Sequence, residues 1–316
     1  MTVFDRLRER IRRTESLLAV GLNPDRSRLP DDCREYDYPR RAFARRIVDA
    51  THDYAAAYAV NPAYYADADG WTALAETVAY ARGRGVPVVL DGKYADLPNP
   101  DADLLGRADA VTVSPYCGRA ALRSALDADC GVFVVCRTPN PGAADLQDRA
   151  IATDGDEAEV RDENRGGGDA DRGDAGGNDD ETEGSDEAEA DHAPTVADYV
   201  ADLAASWAAD ASPADAVSAD VGLLVGGSSD DLDHLRERAP DLPFLAVGGA
   251  KNDPEIAASV TPEGGPHAGV GLVEATREVL YAGETAGRGR NRGQDDYAAA
   301  AGQAARRLAG QLNRER

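Results

Sequence analysis

The sequence predicts an α/β protein with one (β/α)8 barrel, the TIM-barrel architecture, and a disordered acidic insertion after the fifth strand. Eight short apolar runs recur along the chain, and helix-like segments rich in Ala and Arg separate them. Runs without polar alternation are typical of strands that are buried on both faces, as in a parallel barrel. The eight predicted strands lie within residues 16–23, 56–62, 86–93, 110–116, 131–138, 220–227, 243–249 and 268–276.

A doubly wound sheet is the alternative for such an alternation of strands and helices. It would usually have fewer strands, and it would carry Gly-x-Gly-x-x-Gly after the first one. Here the first predicted strand is followed by NPDRSRLP (23–30), which is not a glycine loop of the kind that cradles phosphate. The sequence therefore favours the barrel.

Residues 154–192 do not share this alternation. The segment is dense in Asp, Glu and Gly, and it carries almost no large apolar side chain. Such a composition cannot bury enough apolar surface to offset the entropy that is lost on ordering. We therefore predict a disordered insertion here, within a single barrel domain that spans residues 1–316.

The charge of the chain limits its partners. The formal net charge is −24 at pH 7, and the isoelectric point is about 4.5. This excess of acid argues against nucleic acid and anionic membrane surfaces as partners, because both need a cationic face. Lys93 and Lys251 are the only lysines. An acidic, Ala-rich surface with Arg in place of Lys is typical of halophilic proteins, whose carboxylates stay hydrated in a high-salt cytoplasm.

The sequence shows no sign of a targeting segment, a membrane span or a metal site. Residues 1–13 are charged and amphipathic without an apolar core, and no apolar run approaches about 18 residues. We therefore expect a cytoplasmic protein. The four cysteines form no Cys-x-x-Cys pair, and the four histidines lack ligand spacing, so reduced thiols and no bound metal are expected.

In a barrel of this kind, functional groups lie at the C-terminal ends of the strands and in the loops that follow. Polar residues follow most of the predicted strands at that end, so we expect them to converge on one rim. The candidates for substrate binding are Asn23, Ser114, Pro115, Arg137, Gln147, Lys251 and Arg277.

The third strand carries the sharpest cluster, with Asp91, Lys93 and Asp96 in the run VVLDGKYADLPN. Asp91 and Lys93 are two residues apart, so on one strand they point to the same side, into the barrel mouth. A lysine between carboxylates keeps its proton, and the carboxylates would repel an anionic group placed beside them. The arrangement suits the loss of a carboxylate as CO2 with protonation of the resulting carbanion. A salt-bridge network that only ties loops together is the alternative.

The pattern Asp91-x-Lys93-x-x-Asp96 resembles the third-strand motif of the orotidine 5'-phosphate decarboxylase family. Five further segments resemble this family in the same order along the chain, and they point to its longer-chain, haloarchaeal-like branch. Together the matches extend over nearly the whole chain except the acidic insertion. The segments are LAVGLNPD (18–25), NPAYYADADGW (61–71), VTVSPYCGRAAL (111–122), VVCRTPNPGAADLQD (134–148) and GVGLVEATREVLYAG (269–283).

The resemblance implies a function and a role for each motif residue. The protein would convert orotidine 5'-monophosphate (OMP) into uridine 5'-monophosphate (UMP) and CO2 in de novo pyrimidine biosynthesis, without a metal or an organic cofactor. Lys93 would donate the proton to C6 of the pyrimidine, and Asp91 would lie against the departing carboxylate. Asp96 would reach the site of the neighbouring subunit in a homodimer, and Arg277 would hold the phosphate by a bidentate contact.

Several positions depart from the family pattern. The first-strand acid corresponds to Asn23, the second-strand lysine to Ala59, and the glycine after the phosphate arginine to Glu278. After the third-strand motif the family usually has a threonine, where this chain has LPNP (97–100) with Pro100. Lys251 lies in a seventh loop that lacks the usual glutamine. Loss of a cation from such a charge network commonly costs a few kcal/mol, roughly a hundredfold or more in rate. A catalytically impaired paralogue that binds a pyrimidine nucleotide without turnover therefore stays open, as does another phosphosugar or nucleotide enzyme on the same barrel.

Overall fold

Eight short parallel strands form a closed barrel within the residues that the computed structural model describes, which are 1–95, 107–119, 125, 130–151, 193–209, 220–285 and 296–316. Each strand pairs with the next along the chain, and the last pairs with the first. This confirms the predicted (β/α)8 architecture. The strands lie in the predicted runs, except that β3 extends one residue further, to Tyr94. They are β1 (Leu18–Gly21), β2 (Ala57–Val60), β3 (Val88–Tyr94), β4 (Ala110–Val113), β5 (Gly131–Val135), β6 (Val221–Val225), β7 (Phe244–Val247) and β8 (Leu272–Ala275).

Helices precede, connect and follow the strands. After β8, the chain forms two short helices that are separated at Tyr281. Throughout the described ranges, every helix is too short or too polar to cross a membrane. The helices are α1 (Val3–Thr14), α2 (Asp31–Arg34), α3 (Pro39–Thr51), α4 (Gly70–Gly83), α5 (Ala143–Leu146), α6 (Val196–Ala209), α7 (Ser229–Arg238), α8 (Ile256–Ser259), α9 (Arg277–Leu280), α10 (Ala282–Thr285) and α11 (Asp296–Leu312).

The strands are buried on both faces, as their continuous apolar sequences require. All residues of β1, β2, β4, β6 and β8 are buried. In β3, β5 and β7, exposure begins only at the C-terminal residues. Because all strands are parallel, these ends lie on one side of the barrel, which is therefore the rim that solvent and ligands reach.

Helix α1 covers the opposite end of the barrel. Thr2 and Asp5 form a capping box at its start, which satisfies two backbone N–H groups. The helix buries Phe4, whose ring lies 5.4 Å from that of Phe133 on β5 and whose N–H donates to Oδ2 of Asp220 at 2.9 Å. This packing closes the N-terminal face and leaves the C-terminal rim for function.

The ends of the acidic segment are held together at the barrel surface. Ala150 and Thr195 form an isolated antiparallel bridge. On either side of this bridge, the Ile151 N–H donates to the Pro194 carbonyl at 2.8 Å, and the Val196 N–H donates to the Arg149 carbonyl at 2.9 Å. The predicted disordered insertion, residues 154–192, lies outside the described residues, so its disorder and the assignment of the chain to one domain stay predictions.

We expect removal of residues 154–192 to leave the fold intact. The flanking backbone is already paired across Ala150 and Thr195, so a short Gly-Ser linker can join the ends without disturbing a strand. Thermal unfolding in molar salt should give a midpoint within a few degrees of that of the full chain. Loss of folded, soluble protein would contradict the prediction, whereas loss of activity alone would place the segment near the site.

Candidate functional site

The third strand is irregular where the predicted catalytic pair lies. Leu90 pairs with Val111 of β4, but Tyr94 pairs with Val113, so β3 accommodates two extra residues. Lys93 has a φ of 46° there, a left-handed conformation that is uncommon for a residue with a side chain. Such strain persists only where the surrounding structure enforces it, and it is frequent at functional sites.

Asp91 and Lys93 form a close ion pair at this bulge. Nζ of Lys93 lies 2.7 Å from both carboxylate oxygens of Asp91. Oγ1 of Thr112 on β4 donates to Oδ1 of Asp91 at 2.9 Å and accepts the backbone N–H of Lys93 at 2.9 Å. The Asp91 side chain is 6% exposed and the Lys93 side chain 39%. The carboxylate is therefore fixed inside the barrel, and the ammonium group reaches the open rim.

Gly92 allows the bulge to close. A Cβ at this position would lie 2.3 Å from Cζ and 2.4 Å from Cε2 of Tyr94. The Tyr94 ring therefore folds back over the backbone between the two charged residues. Burial raises the pKa of Tyr94 to about 12, and the charge of Asp91 acts in the same direction. The phenol thus stays protonated near neutral pH.

A second acidic side chain, Glu274 on β8, lies inside the barrel, and its carboxyl group interacts electrostatically with that of Asp91. Glu274 pairs with Val247 of β7 and Ala19 of β1. Its Oε1 accepts a hydrogen bond from Oγ1 of Thr276 at 2.8 Å. Its Oε2 is buried and has no hydrogen-bond partner in the part of the chain that the structure describes. The barrel interior therefore contains an unsatisfied carboxyl oxygen.

Burial raises the pKa of Glu274 to about 7. The charge of Asp91 raises it as well, whereas the hydrogen bond from Thr276 and the charge of Lys93 favour the ionised form. Space for the carboxyl comes from Gly21, where a Cβ would lie 2.7 Å from Oε1 of Glu274. A substantial share of this side chain is thus protonated and uncharged at neutral pH.

The raised pKa of Glu274 predicts a pH dependence of stability. Between pH 4.5, the usual value for glutamate, and about 7, the folded protein holds a proton that the unfolded chain releases. The free energy of unfolding therefore falls as the pH rises through this window. We expect Glu274→Gln to remove this pH dependence. Between pH 4.5 and 8, the free energy of unfolding of the variant should rise by about 3 kcal/mol relative to that of the wild type. Guanidinium unfolding at several pH values measures the difference, with the exposed Glu237→Gln as the control. A difference that does not change with pH would contradict the prediction.

The first two strands end in small or neutral side chains. Asn23 is buried, and its Oδ1 accepts the backbone N–H of Asn61 at 2.7 Å. Ala59 is fully buried and pairs with Gly21. Asn23 therefore ties together the ends of β1 and β2. Its predicted role in substrate binding stays a prediction.

Ser114 and Pro115 lie directly after β4. The N–H of Ser114 donates to the Tyr94 carbonyl at 2.8 Å, which ties this end of β4 to the bulge of β3. Pro115 begins a short 3-10 turn that ends at Cys117. Both residues thus lie on the rim next to the Asp91–Lys93 pair, and their contacts with a substrate stay predictions.

Arg137 and Gln147 anchor the loop after β5. Nε of Arg137 donates to Oδ1 of Asp148 at 2.8 Å, and Nη1 donates to the Gly226 carbonyl at 2.6 Å. Oε1 of Gln147 accepts the backbone N–H of Thr138 at 2.7 Å. The hydrogen bond to Asp148 raises the pKa of Arg137. Both side chains therefore have partners within the protein, and a second role in substrate binding stays a prediction.

Lys251 and Arg277 are exposed on the rim after β7 and β8. Lys251 lies in a turn, and Arg277 is the first residue of α9, three positions after Glu274. Asp96 and Pro100 lie outside the described residues. The structure thus brings Asp91 and Lys93 into contact, and the other candidates among the described residues follow the C-terminal ends of the strands.

No group of three or more His, Cys, Asp or Glu side chains within the described residues is arranged to hold a metal ion. The chemistry that Asp91, Lys93 and Glu274 offer is electrostatic: a fixed carboxylate, an ammonium group on the open side, and a buried carboxyl that is partly protonated at neutral pH.

Thr112 and Glu274 are the two residues that sequence analysis missed. Thr112 lies in the apolar run AVTV (110–113), and Glu274 lies in the run VGLVEAT (270–276). The apolar residues of these runs predict strands, and the polar residue in each run was not considered as part of the site. A single acid inside a run that is predicted to be buried was the available signal, because buried charges are rare unless they are paired or functional.

Comparison with known proteins agrees with this geometry. Residues 18–171 match the orotidine 5'-phosphate decarboxylase / HUMPS family. The orotidine 5'-phosphate decarboxylase of Halobacterium salinarum is 41% identical over 323 residues, and that of Halorubrum lacusprofundi is 40% identical over 328 residues; each alignment covers 100% of both chains. The solved structure of Leishmania donovani OMP decarboxylase has a TM-score of 0.64 and 26% identity, covering 100% of this chain and 99% of that one. With full-length relatives at this level of identity, the chain belongs to the orotidine 5'-phosphate decarboxylase family.

Proposed function

We propose that the protein decarboxylates OMP to UMP and CO2. The observation that carries the proposal is the Asp91–Lys93 pair, a buried carboxylate fixed against an ammonium group that reaches the rim. The pair supplies a negative charge where a substrate carboxylate leaves and a charged acid where a carbanion forms. Relatives that are 41% and 40% identical over their whole length are named for this activity.

In the proposed reaction, the substrate carboxylate lies beside Asp91. The negative charge of Asp91 destabilises this bound carboxylate. It destabilises the transition state less, because the charge of the substrate then moves from the carboxylate to the ring. The bond between C6 and the carboxyl carbon breaks, CO2 leaves, and the electron pair stays on C6. Nζ of Lys93 donates a proton to C6, which gives UMP, and Lys93 later regains a proton from solvent. Thr112 and Lys93 hold Asp91 in place, so the charges need little reorganisation during the reaction.

Arg277 is our candidate for the phosphate contact, because an exposed guanidinium on the rim can bind two phosphate oxygens at once. Asn23, Ser114, Pro115, Arg137, Gln147 and Lys251 are the candidates for the remaining contacts with base and ribose. The proposed reaction uses neither a metal nor an organic cofactor. We further propose a cytoplasmic homodimer in which Asp96 reaches the neighbouring site.

The test is an assay of the purified full chain in molar KCl. Loss of OMP absorbance together with formation of UMP and CO2 is expected. Molar salt is needed because an excess of acidic side chains repels itself when it is not screened. A folded protein that leaves OMP unchanged under these conditions would overturn the proposed activity.

The second candidate is a paralogue that binds a pyrimidine nucleotide without turnover. It is favoured by the fully buried Ala59, which we align with the second-strand lysine of the family. The only lysine besides Lys93 is Lys251, in the exposed turn after β7. Binding of UMP without loss of OMP would support this candidate. Neither binding nor turnover would reject both functions.

A further inference from the structure

Glu274 is a buried titratable group that the proposed reaction does not use. β1 and β7 place apolar residues at the positions that pair with it. The titratable and hydrogen-bonding groups that act on it are Asp91 and Lys93 on β3, Thr276 at the end of its own strand and Glu278 on α9.

This cluster contains more carboxyl groups than cations. Nζ of Lys93 lies 2.7 Å from each oxygen of Asp91, so the ammonium is already engaged. Oε2 of Glu274 is buried and finds no hydrogen-bond partner among the described residues. A second negative charge here would stand unpaired in an interior of low dielectric, so the cluster favours a protonated Glu274.

We propose that Glu274 is a positioning residue whose proton controls the affinity of the rim for an anionic nucleotide. With Glu274 protonated, Asp91 and Lys93 form a pair without net charge that accepts a phosphate-bearing ligand. When Glu274 ionises, the cluster becomes negative and repels the ligand. The inference rests on the proposed nucleotide site and adds a bound proton to it.

Coupled binding is reciprocal, so the nucleotide must favour protonation of Glu274 as much as the proton favours the nucleotide. Burial raises the pKa of Glu274 to about 7, and a share of the carboxyls is therefore ionised at pH 7.5. We expect uptake of about half a proton for each UMP bound at pH 7.5. Binding should weaken about tenfold between pH 6.5 and 8.5 through the charge of Glu274.

The experiment is calorimetric titration of the full chain with UMP in molar KCl, in two buffers of different ionisation enthalpy. Glu274→Gln keeps the shape of the side chain but stays uncharged at every pH. In this variant, proton uptake and pH dependence should fall to the contribution of the UMP phosphate, which is common to all variants. Glu237→Gln, on the exposed side of α7, removes the same charge elsewhere and should behave like the wild type.

The outcomes separate this inference from the proposed activity. Equal proton uptake in the wild type and in Glu274→Gln would overturn the inference, whether or not OMP is decarboxylated. Uptake that requires Glu274, in a chain that does not decarboxylate OMP, would support the inference and overturn the activity. Failure of the wild type to bind UMP anywhere between pH 6.5 and 8.5 would overturn the inference, and turnover of OMP would then decide the activity separately.

A second variant and a second measurement cover the case in which Glu274→Gln does not fold. Glu274→Met is also uncharged and has a side chain of similar length. In the wild type itself, infrared absorption of protonated carboxyl groups should grow when UMP is added at pH 7.5. No growth of that absorption in a protein that binds UMP would overturn the inference.

Discussion

Replacement of Lys93 by alanine should lower the turnover of OMP by at least about a thousandfold. A positioned general acid alone contributes about 10²–10⁴-fold, and Lys93 also supplies the positive charge at the buried carboxylate of Asp91. Lys251, the only other lysine, lies in an exposed turn after β7. Steady-state kinetics with OMP in molar salt measures the effect.

The same substitution leaves the Asp91 side chain, which is 6% exposed, without its ammonium partner. We expect a loss of about 1 to 3 kcal/mol in the free energy of unfolding, because solvent screens part of the pair on the lysine side. Lys93→Arg separates the two effects, since a guanidinium keeps the positive charge but does not release its proton. Stability should be largely retained and turnover lost. Wild-type turnover in either variant would refute the catalytic role of Lys93.

Replacement of Arg277 by alanine should raise KM for OMP about 100-fold and change kcat much less. Hydrogen bonds to charged groups contribute about 1.5–3 kcal/mol each, and a guanidinium can make two of them to a phosphate. Arg277 is exposed at the start of α9, so its removal should not disturb the core. Kinetics over a wide range of OMP concentrations separates KM from kcat.

Two controls test whether the effect of Arg277 acts on the phosphate. Arg306→Ala removes the same charge from an exposed position on α11 and should leave KM unchanged. Uridine, which lacks the phosphate, should bind equally weakly to the wild type and to Arg277→Ala. A fall in kcat at constant KM would instead assign Arg277 to the chemical step.

The barrel and the Asp91–Lys93 pair could both be predicted from the sequence, because both depend on local signals. A strand that is buried on both faces must be apolar along its whole length, and such runs are visible without a structure. Asp91 and Lys93 interrupt one of these runs at its end, where a barrel places its functional groups. A spacing of two residues on one strand predicted that they point to the same side, and the structure brings them into contact at the bulge of β3.

The same reasoning could not find the partners that lie on other strands. Thr112 holds both members of the pair, yet its position opposite them depends on how β3 and β4 are shifted at the bulge. Glu274 approaches Asp91 from across the barrel, since β8 and β3 are not neighbours in the sheet. Contacts of this kind depend on the closure of the whole barrel rather than on any local pattern.

The antiparallel bridge between Ala150 and Thr195 has a consequence for how the chain can change in length. Because the two ends of the acidic segment are fixed side by side, a disordered segment between them, as the sequence predicts, would affect the barrel mainly through the entropy of closing a loop. That cost grows with the logarithm of the loop length, by about 0.6 kcal/mol for each doubling. Insertions and deletions between these two residues should therefore be almost neutral for folding, and the position is suited to accept a complete foreign domain whose own termini lie close together.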